Sequence, residues 1–335
     1  MMTKVARLSP AHRRLLAICG ALGLAVVIGA GTLLIWSAAP VARVVEYGMP
    51  DPHNGPMAIA AAADGTIWFT IDQANAIGRI RGGRIELLPT PGRNYEPLGL
   101  AVGADGSAWY TDINAGAVIR VSPSGEMVPF PVDGAIVRLG RAAIAPDGSV
   151  WFADATGGGI TQLKDGTLTH HEIGSAGSGP YGVAVTSNGI VWATLQGAGK
   201  LVRIEPDGVM NTIDLSRSNV APTDVAVGAD GSVWFLEFLA NRIGRLSNGE
   251  ISDFKVAERN AGLSGLAVAG DGTVWFGMVR SSSLGRLRDG RVESFRLPRD
   301  NARPYSLAVD PEGNIWYADI SGYVGMLPAR YARGS

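Results

Sequence analysis

The chain has 335 residues, of which 46% are hydrophobic, and it carries 29 Lys and Arg against 30 Asp and Glu. Four of the basic residues precede residue 15, so the remainder carries 25 basic against 30 acidic groups, a formal charge of −5. This mildly acidic balance argues against a nucleic-acid or anionic-lipid surface, and a single cysteine excludes an internal disulfide.

The first 42 residues have the charge pattern of a membrane anchor. Residues 1–14 carry four basic residues and no acid, and residues 15–42 carry no charge. About 20 apolar residues suffice to cross a bilayer as a helix, and a Lys/Arg excess before the span keeps that end in the cytoplasm. We therefore predict a cytoplasmic tail at 1–14, a transmembrane signal-anchor helix at 15–40, and a periplasmic or outer location for the rest.

Two alternatives concern this apolar span. Ser37-Ala38-Ala39 ends in small residues, so a cleaved signal peptide is the rival interpretation. Small residues at Ala21, Ala25 and Gly29 could let two such helices pair, but they are common in Ala/Gly-rich spans. We therefore expect a monomer.

The rest of the chain repeats one phrase seven times, most legibly as Asp230-Gly231-Ser232-Val233-Trp234-Phe235. The tryptophans of the copies are spaced by 41 or 42 residues and lie at Trp68, Trp109, Trp151, Trp192, Trp234, Trp275 and Trp316. A fixed period of this length indicates stacked supersecondary units.

Each unit predicts four antiparallel strands. In the first one, residues 57–63 and 67–69 flank the turn Asp64-Gly65, and residues 77–80 and 84–88 flank Gly82-Gly83. The inner two strands are apolar on successive residues, which indicates that both of their faces are buried. Four strands repeated radially predict an all-β fold, a seven-bladed β-propeller.

The seventh unit lacks its outer strand, because the chain reaches Pro328 soon after residues 324–327. Residues 41–47 have the pattern to supply that strand, and pairing would remove an exposed sheet edge. We predict a propeller at 41–328, closed by this N-terminal strand, and a C-terminal tail at 329–335.

Two sets of loops share one face of the predicted disc: the starts of the first strands and the second-to-third connections. The residues nearest the axis are Met57, Leu98, Gly140, Tyr181, Thr223, Ser264 and Tyr305, and Arg141 is among their charged neighbours. Loops on a rigid scaffold commonly carry function. We predict a site for a small molecule or a protein loop at His53, Glu96, Arg138, Tyr181, Asp224, Arg303 and Tyr305.

The second-to-third loops open with carboxylates in five of the seven units: Asp72, Asp112, Asp154, Glu237 and Asp319. Oxygen ligands of this kind suit a hard cation, so these residues are candidate metal ligands. The alternative is that each carboxylate accepts hydrogen bonds from the amides of its own loop.

The third strands carry an arginine in five units, at Arg79, Arg120, Arg203, Arg245 and Arg286. We expect their aliphatic stems to lie on the adjacent blade, with the charged groups in water.

Three phrases carry a family resemblance: Pro180-Tyr181-Gly182-Val183, the Trp-Phe core, and Asn241-Arg242-Ile243-Gly244-Arg245-Leu246. Over residues 41–327 the chain resembles the streptogramin B lyase (virginiamycin B lyase) family of seven-bladed propellers. The resemblance implies elimination across an ester of a cyclic depsipeptide antibiotic, assisted by magnesium.

The family's catalytic residues do not carry over to this sequence. Thr223 and Ser264 stand where the resemblance implies histidines, and Val279 stands where it implies a glutamate. The catalytic residues are therefore unknown, and the first hypothesis is a membrane-anchored extracytoplasmic binding module, a non-catalytic relative without a certain cofactor. The alternative is a diverged magnesium-dependent carbon–oxygen lyase, or another metal-assisted enzyme on an ester or lactone, using His53 and the loop carboxylates.

Overall fold

The computed structural model describes residues 43–333 except 73, 91, 93–95, 133–138, 156, 175–176 and 216–218. The predicted tail 1–14, the predicted helix 15–40 and Arg138 lie outside the described residues. In the described part of the chain, no helix is long and apolar enough to cross a bilayer.

The described chain forms 28 strands in seven four-stranded antiparallel sheets, which confirms the seven-bladed propeller. The innermost strands are β2 (Pro56–Ala61), β6 (Pro97–Val102), β10 (Leu139–Ile144), β14 (Pro180–Val185), β18 (Pro222–Val227), β22 (Leu263–Val268) and β26 (Pro304–Val309). The second strands are β3 (Ile67–Ile71), β7 (Ala108–Asp112), β11 (Val150–Asp154), β15 (Val191–Leu195), β19 (Val233–Glu237), β23 (Val274–Met278) and β27 (Ile315–Asp319).

The third strands are β4 (Ala76–Arg81), β8 (Ala117–Val121), β12 (Gly159–Lys164), β16 (Lys200–Ile204), β20 (Arg242–Ser247), β24 (Ser283–Arg288) and β28 (Tyr323–Leu327). The outer strands are β5 (Arg84–Pro89), β9 (Met127–Pro131), β13 (Thr167–Glu172), β17 (Met210–Asp214), β21 (Glu250–Lys255), β25 (Arg291–Arg296) and β1 (Val45–Gly48). We number the blades one to seven from β2–β5 to β26–β28 with β1.

The innermost strands of successive blades contact one another, and β26 contacts β2, so the blades form a closed ring. The outer position of the seventh blade is filled by β1, which pairs antiparallel with β28 from Val45↔Met326 to Gly48↔Tyr323. The predicted N-terminal closing strand is therefore confirmed.

The core lies between adjacent blades, where apolar side chains from facing sheets interdigitate. Trp234 of the fifth blade packs in one cluster with Val274 and Phe276 of the sixth, all of them buried. The glycine of the Ile-Gly-Arg phrase allows this packing, because a Cβ on Gly244 would lie 2.2 Å from the ring of Phe235. The same close approach recurs at Gly78, Gly285 and Gly325.

The third-strand arginines lie over a tryptophan of their own blade, a contact that the sequence analysis did not predict, and Arg79 also reaches the adjacent blade, where its Nη1 donates to the Pro123 carbonyl at 2.8 Å. Each is the register partner of the tryptophan in the second strand, as in Trp234↔Arg245. All five guanidinium groups lie 5.1–5.9 Å from that tryptophan's ring centroid, within the range of a cation–π contact. The pairing is antiparallel within one sheet, so it places the two side chains on the same face of the blade.

Part of the predicted C-terminal tail is ordered on the propeller. Residues 329–332 form a short helix, α1 (Ala329–Ala332), and Ala332 is 5% exposed. Arg286 donates a hydrogen bond through Nη1 to the Ala332 carbonyl at 2.9 Å, and Asn314 Oδ1 accepts one from the Ala329 amide at 2.8 Å. The helix therefore covers the space between the sixth and seventh blades.

Candidate functional site

A β-bulge near the start of every innermost strand directs side chains toward the axis. The register with the second strand shifts between Pro180 and Val183, and at the equivalent place in the other six blades. A bulge inserts an extra residue, bends the strand and changes where the local side chains point. In blades three to seven these bulged segments surround one cavity.

The cavity has a volume of about 330 Å³ and opens on the face that carries the second-to-third loops. It is lined by Arg141, Tyr181, Gln196, Thr223, Asp224, Phe238, Leu263, Ser264, Gly265 and Tyr305. We call this the axial cavity.

Arg141 of the third blade extends across the axis of the ring and contacts residues of the fifth and seventh blades. Its Nη1 donates to Ser306 Oγ of the seventh blade at 3.0 Å, and its Nη2 lies 3.9 Å from Asp224 Oδ2 of the fifth. Its guanidinium lies 5.7 Å from the ring centroid of Tyr305. The Arg141 and Asp224 side chains are only 11% and 14% exposed, so the cavity holds a largely desolvated ion pair.

The other groups around this ion pair are also held in place. Asp224 Oδ2 accepts a hydrogen bond from the Leu266 amide at 2.9 Å, which brings in the sixth blade. The hydroxyls of Tyr181 and Tyr305 lie 3.1 Å apart and form a hydrogen bond. The polar wall of the cavity is thus a preformed network and not a set of solvated side chains.

The protonation states follow from burial and charge. Burial alone would lower the pKa of Arg141, but the Asp224 carboxylate and the two tyrosines raise it above its usual value. Burial raises the pKa of Tyr181, and the Arg141 charge only partly opposes this. At neutral pH Arg141 is therefore a cation and the phenol of Tyr181 is neutral, so Tyr181 is not a base.

Two of the positions singled out by the family resemblance line this same cavity. Ser264 Oγ donates to the Pro304 carbonyl at 2.6 Å, so its proton is already engaged. Thr223 Oγ1 is buried and has no hydrogen-bond partner among the described residues. Val279 lies against Gly262, where its Cγ2 would be 2.9 Å from an added Cβ.

The structure brings together Tyr181, Asp224 and Tyr305 of the predicted ligand-binding residues. Glu96, Arg303 and His53 do not line the axial cavity. The His53 side chain is 93% exposed and lies 3.0 Å from Asp51, and Glu96 and Arg303 are exposed.

The carboxylates that open the second-to-third loops take part in the hydrogen bonding of the loops themselves. Asp112 Oδ1 accepts from the Ala115 amide at 2.7 Å, and Asp154 Oδ1 accepts from the Gly157 amide at 2.9 Å. Asp319 Oδ1 accepts from the Ser321 and Arg303 amides at 2.8 and 2.9 Å. Asp72 and Glu237 open the corresponding loops of blades one and five, and Glu237 is buried.

The residues at the family's catalytic positions do not fit a magnesium ion. Magnesium favours carboxylate, phosphate and water oxygens in octahedral geometry, whereas Thr223 and Ser264 supply two hydroxyls and Val279 supplies an apolar isopropyl group. Asp224, the one carboxylate among the described residues that line the cavity, is paired with Arg141. In the part of the chain that the structure describes, no group of three His, Cys, Asp or Glu side chains is placed to hold a metal.

Sequence reasoning missed Gln196, Phe238 and Leu263 as cavity residues. Gln196 and Phe238 directly follow the residues that open the second-to-third loops of the fourth and fifth blades. From sequence, only the residue that opens each loop was considered. The residue after it, where the chain has left the second strand and turns toward the axis, lines the cavity in these two blades.

The comparisons with known proteins agree with this architecture. The family model described as the virginiamycin B lyase family matches residues 35–195 and 138–330. Virginiamycin B lyase of Nocardia farcinica is 32% identical over 217 residues, which is 63% of this chain and 73% of that protein.

Two solved structures share the fold over most of their length. A streptogramin B lyase superposes with a TM-score of 0.81 at 26% identity, covering 84% of this chain and 96% of that one. A catalytically inactive variant of virginiamycin B lyase from Staphylococcus aureus, solved with quinupristin, gives a TM-score of 0.81 at 24% identity over 85% and 98%. This chain therefore belongs to the virginiamycin B lyase family.

Proposed function

We propose that this family member binds an uncharged ligand in the axial cavity and does not carry out the lyase reaction. The observation that carries the proposal is the Arg141–Asp224 ion pair, which occupies the cavity at the place where the family resemblance implies a base and a metal. A buried guanidinium paired with its own counter-ion cannot remove a proton from carbon, because Arg stays protonated in proteins.

The charge balance of the lining selects the ligand class. Among the described residues, Arg141 and Asp224 compensate each other, and the remaining lining side chains are neutral. A charged ligand would enter a desolvated site without an available counter-ion, which costs several kcal/mol. An uncharged molecule would keep the pair intact and would contact Phe238 and Leu263 with its apolar groups.

The polar contacts of such a ligand follow from the polar residues that line the cavity. Thr223 Oγ1 is buried without a partner among the described residues, and leaving a buried hydroxyl unpaired costs about 1–3 kcal/mol. A rotation of the Thr223 side chain about χ1 would bring its hydroxyl to the cavity surface, where a ligand carbonyl or hydroxyl would recover that cost. The cavity volume of about 330 Å³ is at the lower end of the range for small-molecule sites, about 300–1,000 Å³.

The second candidate is a diverged lyase, and family membership favours it. Its base would have to be Asp224, which would first have to leave Arg141 and the Leu266 amide. A metal would have to be recruited from side chains that do not surround the cavity. We therefore rank this reaction second.

Binding is tested by thermal shift on the full-length protein with a panel of cyclic depsipeptides and macrolactones that includes neutral, acidic and basic members. We expect neutral members to raise the Tm, and Thr223→Val to weaken their binding by about tenfold. Thr212→Val, on the exposed outer strand β17, is the matched control. Stabilisation by no neutral member, or by acidic members alone, would contradict the proposal.

The proposal includes an anchored, extracytoplasmic propeller. Its support is the sequence of residues 1–42, in which four basic residues precede an uncharged span. A propeller held outside the cytoplasm would sample ligands that do not enter the cell.

A further inference from the structure

A second groove lies on the opposite face of the disc, between the second and third blades. Its volume is about 730 Å³, and its apolar lining includes Trp109, Phe130, Ile144, Pro146 and Leu163. We call it the Trp109 groove. Trp109 is partly exposed, whereas the other six blade tryptophans are at most 8% exposed.

The equivalent groove between the sixth and seventh blades is partly occupied by the chain itself, and a smaller cavity of about 430 Å³ remains beside the helix α1. Trp275, Arg286 and Phe295 correspond by strand register to Trp109, Arg120 and Phe130. There the helix α1 places Ala332 beside Trp275 in the same buried cluster, and the Ala332 carbonyl accepts from Arg286 Nη1 at 2.9 Å.

The groove between the first and second blades is filled in a related way. Arg79 Nη1 donates to the carbonyl of Pro123 at 2.8 Å, and Pro123 belongs to the five-residue turn between β8 and β9. Trp68, beneath Arg79, is completely buried. In both grooves the third-strand arginine therefore binds a backbone carbonyl of the segment that covers the tryptophan.

The matching turn of the third blade does not cover the Trp109 groove. Only Asp165 and Gly166 separate β12 from β13, and a Cβ on Gly166 would meet no atom within 4 Å. The turns of blades one, five and six are equally short, but the tryptophans beside them are 6–8% exposed, so the partly exposed Trp109 distinguishes this groove. Arg120 donates through Nη2 to Asp105 at 2.7 Å, and within the described residues its Nη1 has no acceptor. The register partner of Arg120 on the outer strand is Val128. The corresponding partners of Arg79 and Arg286 are the glutamates Glu86 and Glu293.

We propose that the Trp109 groove docks a peptide segment of a partner protein in which a small apolar residue is followed by a basic one. The occupant would bind as Ala332-Arg333 does in the equivalent groove. The carbonyl of its small residue would accept a hydrogen bond from Arg120, and the side chain of that residue would lie on Trp109. The charges are complementary, because the charged residues lining the groove are Asp105, Asp165 and Arg120. In the groove between the sixth and seventh blades Arg333 donates to the backbone carbonyl of Glu312, and the backbone carbonyl of Asp147 has the corresponding position in the Trp109 groove.

The proposal is tested with a labelled peptide of residues 326–335, titrated against the full-length protein by fluorescence anisotropy. The chain's own copy of this segment already covers Trp275 in the groove between the sixth and seventh blades, so the Trp109 groove is the expected site. We expect saturable binding that Arg120→Gln weakens by about tenfold. Arg245→Gln is the matched control, because Arg245 has the same ion pair, with Asp230 at 3.0 Å, but lines a smaller groove of about 300 Å³ in which Trp234 is buried.

Two further variants make the result independent of the folding of Arg120→Gln. Ala104→Trp adds bulk at an exposed lining residue and should abolish binding. A peptide carrying Ala332→Glu should not bind, because it puts a carboxylate on Trp109. Absence of saturable binding, or binding that survives both Arg120→Gln and Ala104→Trp, would overturn the proposal.

Discussion

Arg299 and Glu46 form an ion pair that joins the last blade to the strand closing it, with Nη2–Oε1 and Nε–Oε2 distances of 3.0 and 3.1 Å. The same guanidinium donates to Asp319 Oδ2 at 2.6 Å, and Asp319 is completely buried. Glu46 also accepts from the Tyr317 hydroxyl at 3.0 Å. Asp319, a candidate metal ligand from sequence, is therefore part of the seam of the ring.

Replacing Arg299 tests this seam. Arg299→Met keeps the aliphatic stem but leaves the Asp319 carboxylate buried without its cation, so we expect a loss of about 3–5 kcal/mol in the free energy of unfolding. Arg296→Met is the control, because its pair with Asp300 is exposed and should contribute at most about 1 kcal/mol. Urea unfolding measures both, and equal losses would show that the pair does not secure closure.

The glycines of the third strands predict a second stability effect. Gly244→Ala would put a Cβ 2.2 Å from the Phe235 ring, and such overpacking costs about 1–3 kcal/mol. Gly270→Ala, where an added Cβ meets no atom within 4 Å, should leave stability unchanged. Part of the loss should be recovered when Gly244→Ala is combined with Phe235→Leu. Failure of this recovery would mean that the ring is not the obstacle.

His171 predicts a specific dependence of stability on pH. Its ring stacks on Trp151 at 5.1 Å, and burial, followed by the charge of His170, lowers its pKa. The unfolded pKa is about 6.5, so just below that pH the unfolded chain binds more protons and stability rises with pH. The contribution is complete above about pH 6.5 and is lost as the pH falls below it.

His171→Phe should keep the stack and remove this pH-dependent component. His53→Phe should leave it in place, because the His53 side chain is 93% exposed. Unfolding free energies at pH 7.5 and 5.5 give the comparison. An unchanged difference between the two pH values in His171→Phe would rule out His171 as its source.

The proposed topology predicts the behaviour of a fusion. A reporter joined after Ser335 should be active only when the C-terminus is extracytoplasmic, and the protein should remain with membranes after carbonate extraction. Activity of a cytoplasmic reporter would contradict the anchor. Release of a processed form beginning near Pro40 would identify the cleaved signal peptide instead.

The 41- or 42-residue period was sufficient to predict the fold, because each copy carries its own turns and buried strands. It also placed Tyr181, Thr223 and Tyr305 at the axis, since their distance from the repeated tryptophan fixes their position in the strand. The period could not show that Arg141 reaches Ser306, which lies 165 residues away. That contact depends on the β-bulges and on side-chain direction. The contact of each third-strand arginine with the tryptophan of its own blade depends on side-chain direction in the same way.

The most direct test of binding without catalysis is to incubate the full-length protein with quinupristin and excess magnesium. Chromatography with tandem mass spectrometry separates the ring-opened isomer from the intact antibiotic, and the Staphylococcus aureus virginiamycin B lyase serves as the positive control. Loss of positioned acid–base groups alone lowers a rate by about 10²–10⁴, so we predict that quinupristin stays intact on the control's time scale. Magnesium-dependent ring opening at a comparable rate, abolished by Asp224→Asn, would contradict this account.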